Sequence, residues 1–169
     1  MKVSSIDAKR GIRQQQSGSG LGHGTIPAGS VDLLAIDVGT RMQLMGVDAI
    51  VGSALNVAQG HATHSTLQAA IDATNAGGRI RLLPGTYAGA TTFTTSNRVF
   101  EGSGYTTNIS GSLTLTNASF NIFRSIRFTG SVSVSAGSNG NIFAQGFVAT
   151  SATIIDAGSG TAIDMVSEA

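Results

Sequence analysis

The charged side chains of the second half of the chain are the first candidates for chemistry. Beyond Gly78 the acids are Glu101, Asp156, Asp164 and Glu168, and the bases are Arg79, Arg81, Arg98, Arg124 and Arg127. Two carboxylates held close together can act as general acid and general base. Glu101 is instead expected near Arg81 and Arg124, as a solvated ion pair of small energetic value. Asp156 and Asp164 could approach each other, although aspartates at turns are commoner than paired catalytic ones.

Two histidines have a spacing that suits a metal ion. His61 and His64, three residues apart, could present two imidazoles to zinc. The chain has no cysteine, and no nearby acid completes a ligand set. The glycine-rich stretch over residues 18–24 does not fit the G-x-G-x-x-G pattern, so phosphate binding is not indicated. We therefore predict no catalytic residue, no metal site and no cofactor.

The amino-acid composition restricts the kinds of binding partner that can be expected. Charged residues make up 11% of the 169-residue chain, 23 residues are glycine, and the formal net charge is +1. Typical soluble domains are about 25% charged, so Ser, Thr, Asn and Gly must supply solubility here. A net charge this small predicts no specific affinity for nucleic acid. No apolar stretch is long enough to cross a bilayer, so no membrane partner is expected.

One helix is predicted in the middle of the chain, over residues 64–78. Ser65 is a plausible N-cap with Gln68 three residues later, and Gly77 and Gly78 follow the last apolar position. Leu67, Ala70, Ile71 and Thr74 share one face. Upstream, short apolar runs broken by glycine predict two or three strands over residues 31–52.

Bulky residues after Gly78 recur about every twenty positions in three interleaved series. The series are Ile80, Val99, Ile122, Ile142 and Ile163; Tyr87, Ile109, Phe128 and Phe147; and Phe93, Leu113, Val132 and Ile154. A repeat of this length with three apolar stations indicates the coils of a parallel β-helix. Asn121 and Asn141 occupy equivalent positions and could stack as a ladder. The alternative is a β-sandwich or a meander of short strands. The coils are short, so no cleft is expected between them.

The segment from His64 to Tyr87 resembles the opening of pectin-lyase-like parallel β-helices. STLQAAIDA (65–73) is similar to the family's capping helix, GGRIRLLPGTY (77–87) to its first strand, and FEGSGY (100–105) to its second coil. The resemblance covers about residues 60–169. It implies an all-β fold: a short right-handed parallel β-helix with an N-terminal capping helix, preceded by an extended N-terminal arm.

The same resemblance implies a role, because this pattern is common in bacteriophage tail fibres, spikes and capsid-decoration proteins. It implies a virion component that forms a homotrimer, with the uncapped end of the β-helix met by another chain. The few candidate acids and the short coils predict that this component is not an enzyme. Two alternatives stay open. One is a fibre or spike module that binds host-surface glycans, and the other is a polysaccharide depolymerase. Phe100, Phe123 and Phe143 are predicted glycan or trimer contacts.

Three parts are predicted along the chain. Residues 1–30 form an anchoring arm, residues 31–60 a small β-platform, and residues 61–169 the capped β-helical knob. The arm carries Lys2, Lys9, Arg10 and Arg13 against Asp7, followed by a linker-like Gly/Ser stretch. Such a segment cannot bury a core of its own. It is expected to dock on other capsid or tail proteins of the virion.

Overall fold

The computed structural model describes residues 37–168. The predicted arm of residues 1–30, with Lys2, Lys9, Arg10 and Arg13, lies outside these residues. The chain divides into two compact units between Met45 and Gly46. The first unit contributes helix α1, Val38–Met45. Asp37 caps this helix by accepting hydrogen bonds from the backbone N–H of Thr40 at 3.0 Å and from its hydroxyl at 2.7 Å.

The strands predicted over residues 31–52 are therefore wrong where helix α1 lies, over Val38–Met45. The run TRMQLM consists largely of good helix formers, and Gly46 follows it with φ 59°, a conformation typical of the residue after a helix. Among the described residues of this stretch, 37–52, Ala49–Val51 is the one strand. That strand belongs to the β-helix sheet, which thus begins twelve residues before the predicted start of the knob at residue 61.

The second unit consists of two short helices and eleven strands. The helices are α2 (Ala54–Ala58) and α3 (Leu67–Ala73). The strands are β1 (Ala49–Val51), β2 (Arg79–Leu82), β3 (Gly85–Tyr87), β4 (Thr91–Phe93), β5 (Val99–Ile109), β6 (Leu113–Leu115), β7 (Ile122–Phe128), β8 (Val132–Val134), β9 (Ile142–Val148), β10 (Ile154–Asp156) and β11 (Ala162–Ser167).

Every pair of neighbouring strands is parallel. One sheet has the order β1-β2-β5-β7-β9-β11, with β3 also paired to β5, and the other has the order β10-β8-β6-β4. Successive partners are about one coil apart in sequence, as when Val99 pairs with Ile122 and Ile122 with Ile142. The chain is therefore a parallel β-solenoid of about four turns, which confirms the predicted β-helix and excludes the sandwich.

The interior of the solenoid is a column of large apolar side chains. Ile80, Phe100, Phe123 and Phe143 occupy the same station on four successive coils and are all buried. The Phe100 and Phe123 rings stack with centroids 4.7 Å apart, close to the spacing between strands. Phe93 meets both rings edge-on from the other sheet. These contacts join the two sheets across the core.

The predicted series are correct in period but one or two residues out of register in places. Val99, Ile122 and Ile142 do align, yet they point outward, and their last partner is Ala162 rather than Ile163. In the second series Phe128 pairs with Val148 instead of Phe147. In the third series the partner of Leu113 is Thr91, and Phe93 pairs with Leu115. The register of the strands is set by the phenylalanine rings, which are buried at the inward positions.

The predicted asparagine ladder is confirmed. Asn121 and Asn141 are fully buried at one corner of the solenoid. The Asn141 side-chain oxygen accepts from the backbone N–H of Asn121 at 3.0 Å and from its side-chain amide at 3.2 Å. The Asn141 amide donates to the Ala118 carbonyl at 2.9 Å. Each asparagine thus satisfies backbone groups of the neighbouring coil that a tight corner would leave unpaired.

Helix α3 covers one end of the core, as predicted, with a different N-cap. The hydroxyl of Thr66, not that of Ser65, accepts from the backbone N–H of Ala69. Leu67, Ala70 and Ile71 are buried. At the helix end the Arg98 guanidinium donates to the Thr74 carbonyl, and burial lowers the pKa of Arg98. This contact ties the second coil to the cap.

Candidate functional site

Glu101 lies at the centre of a cluster of arginines on the outer face of the large sheet. Its carboxylate oxygens are 3.4 Å from Arg79, 3.8 Å from Arg81 and 3.4 Å from Arg124. The predicted ion pairs with Arg81 and Arg124 are confirmed, and Arg79 joins them. Register explains the cluster, because Arg81, Glu101 and Arg124 are direct partners on adjacent strands. One carboxylate faces three guanidiniums, which leaves two positive charges in excess within the cluster.

Beside this cluster runs a ladder of aliphatic side chains. Val99, Ile122 and Ile142 point outward from successive strands, and each retains some exposure to solvent. Val99 precedes Glu101 by two residues, and Ile122 precedes Arg124 by two, so the ladder and the arginines share one face of the sheet. We call these residues together the basic face: Arg79, Arg81, Arg124, Val99, Ile122 and Ile142.

Phe100, Phe123 and Phe143 are not surface residues. At most 1% of each is exposed, and the three rings form the stack in the core. Contact with a sugar or with a trimer partner requires an accessible ring face, which these residues lack. Their predicted role as glycan or trimer contacts therefore has to be corrected to core packing. The physical reason is alternation along the strand, which turns Val99, Ile122 and Ile142 outward in their place.

The exposed aromatic side chains of the described residues are elsewhere: Phe120 is 61% exposed, and Tyr105 belongs to a group with charged neighbours. Tyr105, 58% exposed, lies in an excursion within β5 and packs edge-on against Phe147 with centroids 5.7 Å apart. The Arg127 guanidinium lies 4.5 Å from the Tyr105 ring centre and donates twice to Glu168, at 2.6 Å each. These hydrogen bonds raise the pKa of Arg127 and lower that of Glu168. This group was not predictable from the sequence, because its residues belong to different coils.

Asp156 and Asp164, the two late acids, lie on strands of different sheets and do not form a carboxylate pair. Asp156 accepts from the backbone N–H of Gly158 at 2.9 Å and from the Thr161 hydroxyl at 3.2 Å, so it acts as a turn residue. Asp164 lies on the other sheet, in β11. The Nδ1 of His64 is 2.8 Å from the Thr63 hydroxyl. Among residues 37–168 no group of three acids or histidines is arranged to hold a metal ion.

The end of the solenoid opposite α3 presents apolar side chains to solvent. Strands β10 and β11 are the edges of their sheets. Ile155 is 58% exposed, Ile163 49% and Val166 60%. Ile163 continues the column above Phe143, and Asp156 occupies the inward station above Val134. We call the exposed residues here the acidic end: Ile155, Asp156, Ile163, Asp164 and Val166.

A cleft of about 300 Å³ lies beside the capping helix, contrary to the prediction of no cleft. It is lined by the start of α3 and by the segment from Pro84 to Thr91. Several of its polar groups are already used within the chain. Thr66 caps α3, the Gln68 side-chain oxygen accepts from the backbone N–H of Thr92 at 2.9 Å, and the Tyr87 hydroxyl contacts two carbonyls. No charged side chain is among the lining residues.

Comparisons with known proteins do not identify a family or a function for this chain. No family model matches the chain, and neither a curated protein nor a solved structure matches it. Within residues 37–168 no helix has the length and apolar character needed to cross a membrane. What the chain offers for function is thus a solenoid with a basic face and an exposed acidic end.

Proposed function

We propose that this chain is a non-enzymatic structural component of a bacteriophage virion. In this proposal it forms a homotrimer that decorates or cements the capsid or builds a short appendage, and the arm of residues 1–30 anchors it to other virion proteins. A virion is proposed because residues 65–87 resemble the pectin-lyase-like β-helices of phages. The basic charges at Lys2, Lys9, Arg10 and Arg13 are the basis for the anchor.

The observation that carries an assembly role is the acidic end. Its strands β10 and β11 present unpaired edges, and Ile155, Ile163 and Val166 are about half exposed or more. Exposed edges and apolar residues of this kind favour pairing with a further strand, and in this proposal a second copy supplies it. The other end of the core lies under α3. Asp156, at an inward station, and Asp164 are charges that discourage unspecific pairing of these edges.

Deletion of residues 1–16 tests the anchor. Purified particles should lack the truncated chain, measured by mass spectrometry against the major capsid protein, while the truncated chain retains the circular dichroism spectrum of the intact one. Normal incorporation of the truncated chain would refute anchoring by the arm. Sedimentation of the purified chain with and without residues 1–30 tests the trimer, and a monomer at every concentration in both cases would contradict it.

A glycan-binding module is the second candidate, and the exposed Tyr105 favours it. An aromatic ring beside a fixed arginine and carboxylate can stack on a sugar ring and hydrogen-bond its hydroxyls. Binding on a glycan array that disappears in Tyr105→Ala would support this candidate. Phe100→Ala is unsuitable for the purpose, because it disrupts the core. Depolymerase activity, the third alternative, would appear as release of reducing sugar that Glu101→Gln or Asp156→Asn abolishes.

A further inference from the structure

One corner of the solenoid carries a phenylalanine in a strained backbone conformation. Two residues before the paired positions of the large sheet, the same station on four successive coils is occupied by Asn97, Phe120, Gly140 and Gly160. All four have a left-handed backbone, with φ between 58° and 68°. Glycine and asparagine adopt this conformation readily, whereas it is a genuine outlier for a bulky residue. The corner itself therefore does not require the ring, since three coils form it without one.

The Phe120 ring is held in place and yet open to solvent. A Cβ atom at Gly140 would lie 2.7 Å from two ring carbons, so the ring rests on the glycine of the next coil. Phe120 is nevertheless 61% exposed. The coils of Gly140 and Gly160 are both described beyond it, so this exposure does not arise from where the sequence ends. The buried pair of Asn121 and Asn141 fixes the backbone directly behind the ring.

The groups around the ring are polar and uncharged. The turns of this corner contain no Asp, Glu, Lys or Arg; they are residues 94–97, 116–120, 135–140 and 157–160. The side-chain oxygen of Asn139 accepts from the backbone N–H of Ser159 at 3.0 Å, which fixes the amide and leaves its nitrogen to donate elsewhere. Within the described part of the chain, the exposed side-chain amide of Asn97 has no hydrogen-bond partner. Amides thus lie on the coils before and after the ring.

We infer that Phe120 is the stacking platform of a binding site for a neutral pyranose sugar. The axial C–H bonds of a pyranose form an apolar, weakly positive surface, which fits the negative face of an aromatic ring. Hydroxyls at the rim of the sugar exchange hydrogen bonds with the amides of Asn97 and Asn139. An acidic sugar finds no exposed cation in these turns, because Arg98 beside Asn97 is buried and donates to the Thr74 carbonyl. A protein partner is disfavoured, because one ring among Ser, Asn and Gly does not provide the apolar centre of a protein interface.

This inference rests on the glycan-binding candidate function and assigns it to Phe120 instead of Tyr105. Binding is measured on the full chain by isothermal titration with cellohexaose, maltohexaose and mannohexaose, and with hexagalacturonic acid as the charged counterpart. At least one neutral hexasaccharide should bind, and hexagalacturonic acid should not. Phe120→Gly should weaken this binding about tenfold or more, because the stacking surface is lost. Phe120→Tyr keeps the aromatic face and should bind like the wild type.

Phe120→Gly also tests whether the ring serves the fold. Glycine occupies the same station on the next two coils, so the variant should keep a melting temperature close to that of the wild type. Relief of the strained φ offsets the greater freedom of the unfolded chain. A large fall in the melting temperature by circular dichroism would show that the ring is needed for the fold, and would overturn the inference. Leu55→Ala removes an exposed apolar side chain from α2 and should leave sugar binding unchanged.

The outcomes separate the inference from the proposed functions. If a neutral sugar binds equally to Phe120→Gly and to the wild type, or if binding is lost in Tyr105→Ala alone, the inference is wrong and the glycan-binding candidate stands. If the wild type binds no glycan, the inference and that candidate are both refuted, while the structural role is untouched. An oligomer that dissociates in Phe120→Gly, measured by sedimentation velocity, would assign the ring to a protein contact and also overturn the inference.

Discussion

The Phe123 ring lies flat against that of Phe143, with centroids 4.8 Å apart and planes inclined by 7°. This distance matches the spacing of adjacent strands, so each coil places its ring directly on the one before. Phe123 also stacks on Phe100 from the other side. The central coils are thus held in register by side chains as well as by the backbone ladder.

Truncation of Phe123 should be the most damaging apolar change in the solenoid. Phe123→Ala removes a fully buried ring and leaves a cavity between Phe100 and Phe143. We expect a loss of about 3–5 kcal/mol in the free energy of unfolding, measured by urea titration. Ile142→Ala, an outward position, should cost about 1 kcal/mol or less. Equal losses at the two positions would contradict the assigned register.

The asparagine ladder should be sensitive to loss of a single amide. Asn141→Ala leaves the backbone N–H of Asn121 and the carbonyl of Ala118 unpaired inside the protein. We expect a loss of about 2–4 kcal/mol, because each unsatisfied buried group costs about 1–3 kcal/mol. Asn139→Ala is the matched control: its side-chain oxygen accepts from Ser159 at 3.0 Å on the exposed side of the same corner. A control that is as destabilised as Asn141→Ala would count against the ladder.

Close approach between coils should forbid a methyl group at Gly111. A Cβ built there lies 2.1 Å from the carbonyl oxygen of Gly89, on the preceding coil. Gly111→Ala must therefore push two coils apart, and we expect a lower melting temperature by circular dichroism. At Gly89 a Cβ meets no atom within 4 Å. Gly89→Ala should leave the melting temperature nearly unchanged, and a similar fall in both variants would argue against this packing.

Tyr87 should make the fold sensitive to alkali. Its hydroxyl lies 2.7 Å from the Leu83 carbonyl and 3.0 Å from that of Val51, and burial raises its pKa from 10.0 to about 12. The raised pKa contributes stability that is fully present below pH 10 and is lost as pH rises through about 12.

The measurement is the free energy of unfolding between neutral pH and strongly alkaline pH. In Tyr87→Phe the fall in stability over this alkaline window should shrink, because no phenol remains to ionise at that position. At neutral pH the variant should be about 1–2 kcal/mol less stable, since two carbonyls lose their hydrogen-bond donor. An unchanged alkaline profile in Tyr87→Phe would show that another group is responsible.

The sequence revealed the solenoid but not the phase of its alternation. Each coil places an aliphatic residue next to a phenylalanine, as in Val99-Phe100 and Ile142-Phe143, so either residue of a pair is suitable for the core. The choice depends on how the rings fit together across coils, as the edge-on contacts of Phe93 show. Those contacts join residues that are not neighbours in sequence. The ion pairs of Glu101 were predictable, because they follow directly from the repeat.

Two glycines are required for a reason that the sequence does not reveal. Neither Gly111 nor Gly130 has a positive φ. At both positions a Cβ atom would clash with the backbone of the preceding coil, so only glycine fits. Helix α1 was missed because Gly39 and Gly46 suggested strand ends. The hydrogen bonds from Thr40 to Asp37 that start this helix are local, and a search for N-caps would have found them.

The excursion that carries Tyr105 has a consequence for how this protein can change length. Val99 and Ile122 are partners 23 residues apart, whereas Ile122 and Ile142 are partners 20 residues apart. Pairing with β7 is interrupted after Gly104 and resumes at Asn108 with Arg127. Length added at this corner does not shift the rings above or below it. It is the natural place to graft a foreign loop or an epitope tag without disturbing the rest of the molecule.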